Sequence, residues 1–163
     1  MLPFKIGFGY DVHRFSKGRE LWLGGVKISY LFGLEGHSDA DVLLHSICDA
    51  LLGAAGLRDI GNQFPNNDMN FKDIDSKILL KRVYELITEK GFKIGNIDAT
   101  VCAEEPKINP YIPTMQEVIS SILHIQPYDI SIKATTNEGM GFVGRKEGIC
   151  SYSVILLYRH LSK

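Results

Sequence analysis

The chain has 163 residues, of which 45% are hydrophobic and 23% are charged, and its formal net charge is -1. This length and composition are typical of one globular domain with a sizeable core, and we expect residues 1–163 to form a single domain. The nearly neutral charge gives no electrostatic reason to expect a nucleic acid or an anionic membrane as a partner. No stretch reaches the roughly 18 consecutive apolar residues of a transmembrane helix.

The three cysteines, Cys48, Cys102 and Cys150, are odd in number and widely spaced. This pattern indicates neither a disulfide framework nor a cysteine-based zinc site, and it fits a reducing compartment. The first residues, "MLPFKIGF", have none of the features of a signal or transit peptide. We expect a cytoplasmic protein, or one from a plastid-type organelle if a presequence has been removed.

The first predicted strand carries an aspartate and a histidine two residues apart, in "FKIGFGYDVH". Side chains alternate between the two faces of a strand. One face therefore holds large apolar groups, which we expect to belong to the core: Phe4, Ile6, Phe8, Tyr10 and Val12. The other face holds Gly7, Gly9, Asp11 and His13, and its glycines predict that another group approaches the backbone closely. The alternative is an exposed strand end with an Asp–His hydrogen bond.

Next in the chain, "ELWLGGVKISY" predicts a hairpin around Gly24 and Gly25, and "HSDADVLLHSICDALLGAAGL" predicts a helix with Ser38 as N-cap. "DSKILLKRVYELITEKG" predicts an amphipathic helix from the cap Asp75 to Gly91. A strand in "GNIDATVCAE", a helix in "IPTMQEVISSILHI" and strands in "DISIKATT" and "ICSYSVILLYR" follow. This order favours an α/β fold with a small mixed sheet whose helices cover one face.

The first helix carries a polar stripe at Asp41, His45 and Asp49, spaced four residues apart on one side. Together with Asp11 and His13, His45 would give two imidazoles and one carboxylate around an open position, as in catalytic zinc sites. The same ligand types also bind non-haem iron. Asp41 or Asp49 would then orient the imidazole. The alternative is that the stripe simply faces water.

A second polar cluster lies in "SIKATTNEGMGFVGRKEG". Its "GMGFVG" matches the dinucleotide-binding pattern GxGxxG, but a strand follows it and only 19 residues remain, so we reject that function. The cluster offers phosphate donors and one carboxylate suited to a hard metal ion. These groups are Lys133, Thr135, Thr136, Arg145 and Glu138. The alternative is a polar loop with one surface salt bridge.

Five stretches together resemble the 2-C-methyl-D-erythritol 2,4-cyclodiphosphate synthase family: "GYDVHRF", "GHSDADVLLH", "DALLGAAGLRDIGNQFP", "EEPKI" and "KATTNEGMGFVGRKEGI". They span nearly the whole chain in the family's order. The resemblance implies conversion of 4-diphosphocytidyl-2-C-methyl-D-erythritol 2-phosphate to the cyclic diphosphate with release of CMP. It also implies a homotrimer with active sites between subunits, a Zn²⁺ site, a second Mg²⁺ or Mn²⁺ ion, and an isoprenoid diphosphate at the trimer axis.

The resemblance assigns Zn²⁺ to Asp11, His13 and His45, the second ion to Glu138, and transition-state stabilisation to His37 and Thr136. It places further substrate contacts in four groups. The first group is Asp11, His13, His37 and Ser38, in which His37 and Ser38 match phosphate contacts, and the methylerythritol pocket comprises Asp59, Ile60, Gly61, Phe64, Pro65, Asn66, Asn67 and Asp68. The cytidine loop comprises Ala103, Glu104, Glu105, Pro106, Lys107, Ile108 and Asn109, and the remaining contacts are Lys133, Ala134, Thr135, Thr136, Asn137, Glu138, Phe142 and Arg145.

Two stretches depart from the family pattern: "FPNND" stands where FPDTD is common, and "TTNEGMGF" stands where TTTEKLGF is common. Asn66, Asn137 and Gly139 are among the changed positions, and none of the changes removes a group that the chemistry requires. Three other functions use similar groups. They are a metal-dependent nucleotide-diphosphate hydrolase, a non-haem iron oxygenase, and a trimeric isoprenoid-binding protein with a structural zinc ion.

Overall fold

The computed structural model describes residues 3–65 and 74–159. The strands are β1 (Phe4–Lys17), β2 (Leu21–Leu23), β3 (Val26–Ile28), β4 (Phe32–Leu34), β5 (Lys93–Cys102), β6 (Ile130–Thr135) and β7 (Gly148–Tyr158). The helices are α1 (Val42–Ala55), α2 (Ile60–Gln63), α3 (Ser76–Glu89), α4 (Ile112–Leu123) and α5 (Gly141–Gly144). The predicted substrate contacts Asn66, Asn67 and Asp68 lie outside the described residues. The described part of the chain contains no helix long and apolar enough to cross a membrane.

The strands form a five-stranded mixed sheet in the order β4-β1-β7-β5-β6, and β2 and β3 form a separate hairpin. Only the β5–β6 pair of this sheet is parallel. Helix α1 packs on β1 and β7, α4 packs on β6, and α3 packs on α1. The predicted α/β fold with a small mixed sheet is confirmed. The short elements β4, α2 and α5 were not predicted.

Two glycines of β1 let α1 lie directly against the strand. A Cβ atom on Gly7 would stand 1.8 Å from the carbonyl oxygen of Ala50, and one on Gly9 would stand 1.9 Å from that of Ser46. No other residue fits at such distances, because non-bonded carbon and oxygen atoms need more than 3 Å. The close approach predicted from the glycines is therefore made by the backbone of α1.

The prediction that the large side chains of β1 belong to the core is wrong, because they are exposed in the single chain. Their exposed fractions range from 41% to 69%, for Phe4, Ile6, Phe8, Tyr10 and Val12. Since α1 can approach only the glycine face, these side chains point to the opposite side of the sheet. Tyr152 and Val154 of β7 extend this apolar surface, and the ring centroids of Tyr10 and Tyr152 are 5.0 Å apart. We call this surface the open sheet face.

The sequence predicts Ser38 as the N-cap of α1, but the helix begins after Asp41. The buried carboxylate of Asp41 accepts hydrogen bonds from the backbone N–H groups of Leu44, Gly24 and Gly25, at 2.7 to 3.0 Å. One side chain thus caps the helix and also fixes the turn of the β2–β3 hairpin. Burial raises the pKa of Asp41, as does the nearby charge of Asp39, and the three N–H groups oppose this rise. The predicted cap of α3, Asp75, is confirmed.

We predict that Gly7→Ala destabilises the protein by about 3 kcal/mol or more, because its methyl group can be accommodated only if α1 and β1 separate. The matched control is Gly53→Ala in the exposed part of α1, where a Cβ atom meets nothing within 4 Å. This control should stabilise the helix by about 0.5–1 kcal/mol. Urea unfolding at one fixed protein concentration measures both changes. Equal stability of the two variants would contradict the proposed close contact.

Candidate active site

Three potential metal ligands converge where β1 meets the first turn of α1. The Oδ2 atom of Asp11 lies 3.0 Å from Nε2 of His13 and 3.0 Å from Nδ1 of His45, and the two nitrogens are 3.3 Å apart. Asp11 and His13 share a face of β1 because they are two residues apart. His45 joins them because it precedes Ser46, the residue whose carbonyl lies over Gly9.

The spacing of these atoms fits one tetrahedral metal ion. Ligand atoms about 2.0–2.1 Å from such an ion lie about 3.3 Å from one another. The outer nitrogen of His13, Nδ1, lies 2.7 Å from the carbonyl oxygen of Glu35. A carbonyl oxygen only accepts hydrogen bonds, so Nδ1 carries the proton of the neutral ring and Nε2 presents its lone pair to the site. Asp11, His13 and His45 can therefore hold a metal ion.

The electrostatics of the site keep Asp11 ionised at neutral pH. Burial raises the pKa of Asp11, but the hydrogen bonds and positive charge of His13 and His45 lower it to about 2. Burial lowers the pKa of His45, but the hydrogen bond and charge of Asp11 outweigh this effect and raise it. A metal ion must displace a proton from His45, so metal binding weakens as the pH falls.

The prediction that Asp41 or Asp49 orients the His45 ring is wrong. Asp41 bonds to backbone N–H groups, and Asp49 accepts a 2.8 Å hydrogen bond from the backbone N–H of Ile60. The outer nitrogen of His45, Nε2, instead lies 2.9 Å from the Oγ atom of Ser76 and 3.3 Å from that of Ser38. The helical spacing argument failed because Asp41 precedes the helix in an extended conformation.

A cavity of about 220 Å³ opens beside the three ligands. It brings together eight residues predicted from the sequence to bind metal or substrate: Asp11, His13, His37, Ser38, His45, Ile60, Gly61 and Phe64. Three further lining residues, Gly36, Ile74 and Leu79, were not predicted. Of the other predicted residues of this pocket, Asp59 caps α2 by accepting a 2.8 Å hydrogen bond from the backbone N–H of Asn62. Pro65 is exposed at the end of the first described range.

The loop that carries His37 is held by Arg19, which the sequence analysis missed. The guanidinium group of Arg19 donates to the carbonyl oxygens of Gly36 and Ser38, at 3.2 and 2.5 Å. These two carbonyls flank His37, whose side chain remains exposed. No local sequence signal marks Arg19, because the contact joins residues 17 and 19 positions apart.

A second cavity, of about 530 Å³, lies between the loop after β5 and the end of β6. Nine predicted substrate contacts line it: Ala103, Glu104, Pro106, Lys107, Ile108, Asn109, Ala134, Thr135 and Thr136. The carboxylate of Glu104 accepts hydrogen bonds from the backbone N–H groups of Asn137 and Gly139, at 2.8 and 3.3 Å, and so fixes the loop after β6. The carboxylate of Glu105 instead pairs with Lys146 at 2.7 Å.

The remaining predicted residues lie outside both cavities. The carboxylate of Glu138 accepts a 3.3 Å hydrogen bond from the hydroxyl of Thr136, and the Glu138 backbone is left-handed, with φ of 51°. Lys133 pairs with Asp98, and Arg145 pairs with Glu147; all four side chains are exposed to solvent. Phe142 packs beside a small cluster of Cys102, Val143 and Cys150.

Sequence comparison places the chain among known proteins. Residues 4–158 match the family model of the YgbB family. The chain belongs to the YgbB family. It is 61% identical to the 2-C-methyl-D-erythritol 2,4-cyclodiphosphate synthase of Porphyromonas gingivalis over 95% of this chain and 96% of that protein. Its fold matches that of the IspF–CDP complex of Plasmodium falciparum with a TM-score of 0.85 and 38% identity over 97% of each chain.

A relative from Bacteroides fragilis with the same name is 59% identical over 97% of this chain and 99% of its own length. The family assigned to this chain from its sequence motifs is confirmed. The individual roles of its site residues stay predictions, because the comparisons concern whole chains.

We predict that His13→Ala lowers the affinity for a divalent transition-metal ion by about 100-fold or more, because loss of an outer partner alone costs about 10–100-fold. Competition with a coloured chelator measures this affinity, and circular dichroism checks that the fold is retained. His124→Asn is the matched control: His124 ends α4 with φ of 52°, a conformation that asparagine also adopts. Unchanged affinity in His13→Ala would exclude this residue as a ligand.

Proposed function

We propose that this chain is a 2-C-methyl-D-erythritol 2,4-cyclodiphosphate synthase. It converts 4-diphosphocytidyl-2-C-methyl-D-erythritol 2-phosphate to 2-C-methyl-D-erythritol 2,4-cyclodiphosphate and releases CMP, a step of non-mevalonate isoprenoid biosynthesis. The observation that carries this proposal is the Asp11–His13–His45 cluster at the mouth of a cavity, in a chain 61% identical to a protein of that name.

In the reaction, an oxygen of the 2-phosphate forms a bond to the β-phosphorus, and the bond from that phosphorus to the oxygen bridging the α- and β-phosphates breaks. CMP leaves with the electron pair of the broken bond. The nucleophile is already an anion near neutral pH, so the protein must mainly bring two negatively charged phosphates together. Correct positioning in an intramolecular reaction contributes about 7–11 kcal/mol.

We assign Zn²⁺ to Asp11, His13 and His45, and Mg²⁺ or Mn²⁺ to Glu138 together with the substrate diphosphate. When bound, these ions supply positive charge that offsets the repulsion between the phosphates. Two neutral imidazoles and one carboxylate are a ligand set typical of catalytic zinc with an open position. Glu138 offers the hard oxygen ligand that Mg²⁺ prefers.

The chain's own side chains then bind and orient the substrate. His37 and Ser38 contact the phosphates, and His37 and Thr136 donate hydrogen bonds to the charge that develops in the transition state. The methylerythritol group lies along Asp59–Gly61 and the segment from Phe64 to Asp68. Cytidine lies in the cavity of the loop Ala103–Asn109, and the CDP bound by the Plasmodium falciparum relative supports a cytidine nucleotide as ligand of this family. Lys133, Thr135 and Asn137 add phosphate contacts.

We further propose a homotrimer whose active sites lie between neighbouring subunits. Strand register supports this arrangement, because Asp11, Ser151, Val101 and Ala134 are consecutive cross-strand partners and share the helix-covered face. Lys133, one residue before Ala134, therefore lies on the open sheet face.

Within one chain, the metal ligands and this predicted phosphate donor are on opposite faces of the sheet. In the proposed trimer the open sheet faces pack together, and the phosphate donors of a neighbouring subunit would complete the site beside these metal ligands. Phe142 and Arg145 would then lie near the trimer axis, where an isoprenoid diphosphate would bind.

Phosphorus NMR of the purified protein with Zn²⁺, Mg²⁺ and the diphosphocytidyl substrate tests the activity. We expect a cyclic diphosphate and one equivalent of CMP, and no product with His13→Ala. Formation of two linear phosphorylated products would indicate a nucleotide-diphosphate hydrolase instead of the synthase. Unchanged substrate with a fully metallated wild-type protein would refute the proposed reaction.

The assembly is tested by light scattering after size-exclusion chromatography. The wild-type chain should have three times the mass of one chain. Phe8→Glu should dissociate it, because Phe8 is 62% exposed in the single chain and lies in the middle of the open sheet face. Tyr128→Glu is the control, since Tyr128 is 84% exposed in the turn Pro127–Asp129. A monomeric wild-type protein would contradict the trimer.

A further inference from the structure

Behind the metal ligands, two polar residues outside the predicted site are linked to His45. Ser76 is the first residue of α3 and is fully buried, and its Oγ atom lies 2.9 Å from Nε2 of His45. Its hydroxyl donates a hydrogen bond to Oδ1 of Asp39, in the loop before α1. The backbone N–H of Ser76 donates to the other carboxylate oxygen of Asp39, at 3.0 Å. Asp39 thus holds Ser76 at two points.

The direction of these hydrogen bonds follows from elementary donor and acceptor rules. A carboxylate only accepts, and a serine hydroxyl has one hydrogen. Since Ser76 gives that hydrogen to Asp39, its oxygen can only accept from His45. The Nε2 atom of His45 must therefore carry a proton, and the ring presents Nδ1, which lies 3.0 Å from Oδ2 of Asp11, to a metal ion that displaces the Nδ1 proton.

We infer that Asp39 and Ser76 are positioning residues that hold the Nε2–H group of His45, so that Nδ1 is the nitrogen with which this ring binds a metal ion beside Asp11 and His13. The inference concerns the metal site and rests on the metal binding included in the proposed function, but it does not depend on the reaction. It pairs with the role of the Glu35 carbonyl, which fixes the opposite tautomer of His13. Each ring thereby presents the nitrogen that faces the other ligands.

Ser38 shows why this chain of contacts is needed. Its hydroxyl oxygen lies 3.3 Å from the same Nε2 atom and accepts a 3.0 Å hydrogen bond from the backbone N–H of Ala40. Its own hydrogen remains free to be donated to Nε2. Without Ser76, this donation would favour the wrong tautomer, in which the proton occupies Nδ1 and blocks the metal.

The contact also joins the site to α3. Asp75 caps this helix by accepting a 2.8 Å hydrogen bond from the backbone N–H of Lys77, so the position of Ser76 is set by the helix start. A purely structural role for Ser76 would be limited to holding α3 near α1. That role predicts a loss of stability without a change in the protonation of His45, which makes the two roles separable by experiment.

The test measures zinc affinity and the His45 tautomer in the full-length protein without substrate. We expect Ser76→Ala and Asp39→Asn to lower zinc affinity about 10–100-fold, and Ser76→Thr, which keeps the hydroxyl, to remain within about threefold of wild type. Asp39→Asn keeps the shape of the carboxylate but adds an N–H donor. The hydroxyl of Ser76 would then accept from residue 39 and donate its hydrogen to Nε2 of His45. Histidine ¹⁵N NMR of the zinc-loaded proteins should show a protected Nε2–H group on His45 in wild type and faster exchange of that proton in both weakened variants.

Val83→Ala is the structural control, because it weakens the packing of α3 at a fully buried side chain about two turns beyond Ser76 and leaves the helix start unchanged. It should lower stability while zinc affinity and the His45 spectrum stay as in wild type. Wild-type affinity and unchanged exchange of the Nε2 proton in folded Ser76→Ala or Asp39→Asn would overturn the inference. If these variants lose zinc as expected but the wild-type protein makes no cyclic product, the inference stands and the proposed reaction fails.

Discussion

The contact between α1 and the glycine face of β1 is the constraint on which the rest of the structure depends. Backbone meets backbone there, since a Cβ atom on Gly7 or Gly9 would overlap a helix carbonyl. Behind Gly9, the hydroxyl of Ser46 lies 2.7 Å from that of Ser153 and 2.9 Å from that of Ser151. Small side chains therefore fill the part of the interface around Gly9, and the buried hydroxyls satisfy one another.

This contact has two consequences for function. It places His45 within 3.0–3.3 Å of Asp11 and His13, a distance set by the backbones and not by a flexible loop. It also forces the large apolar side chains of β1 to the other side of the sheet. The same alternation of small and large residues thus produces a cluster of potential metal ligands on one face and an exposed apolar surface on the other.

The polar groups around the site share one feature. Carbonyl and carboxylate oxygens, which can only accept hydrogen bonds, determine where the neighbouring side chains carry their protons. The Glu35 carbonyl orients His13, and Asp39 acts on His45 through Ser76. Asp41 uses both carboxylate oxygens to hold the hairpin turn and the start of α1. Because these contacts orient the rings of His13 and His45 before any ion arrives, they lower the entropic cost of binding one.

The sequence alone determined the order of the longer elements, the cap of α3, the grouping of Asp11, His13 and His45, and the family, but it misplaced the cap of α1. These features depend on local spacing. Side chains two residues apart share one face of a strand, which placed Asp11 beside His13, and the polar stripe of the first helix and the family motifs indicated His45. The tertiary structure decided which face of β1 is buried, because an apolar strand face is compatible with a core or with an interface. It also decided the partners of His45, since Asp39 and Ser76 are 37 residues apart and no local pattern relates them. Long-range polar contacts depend on how the chain folds back on itself, and periodicity carries no information about that.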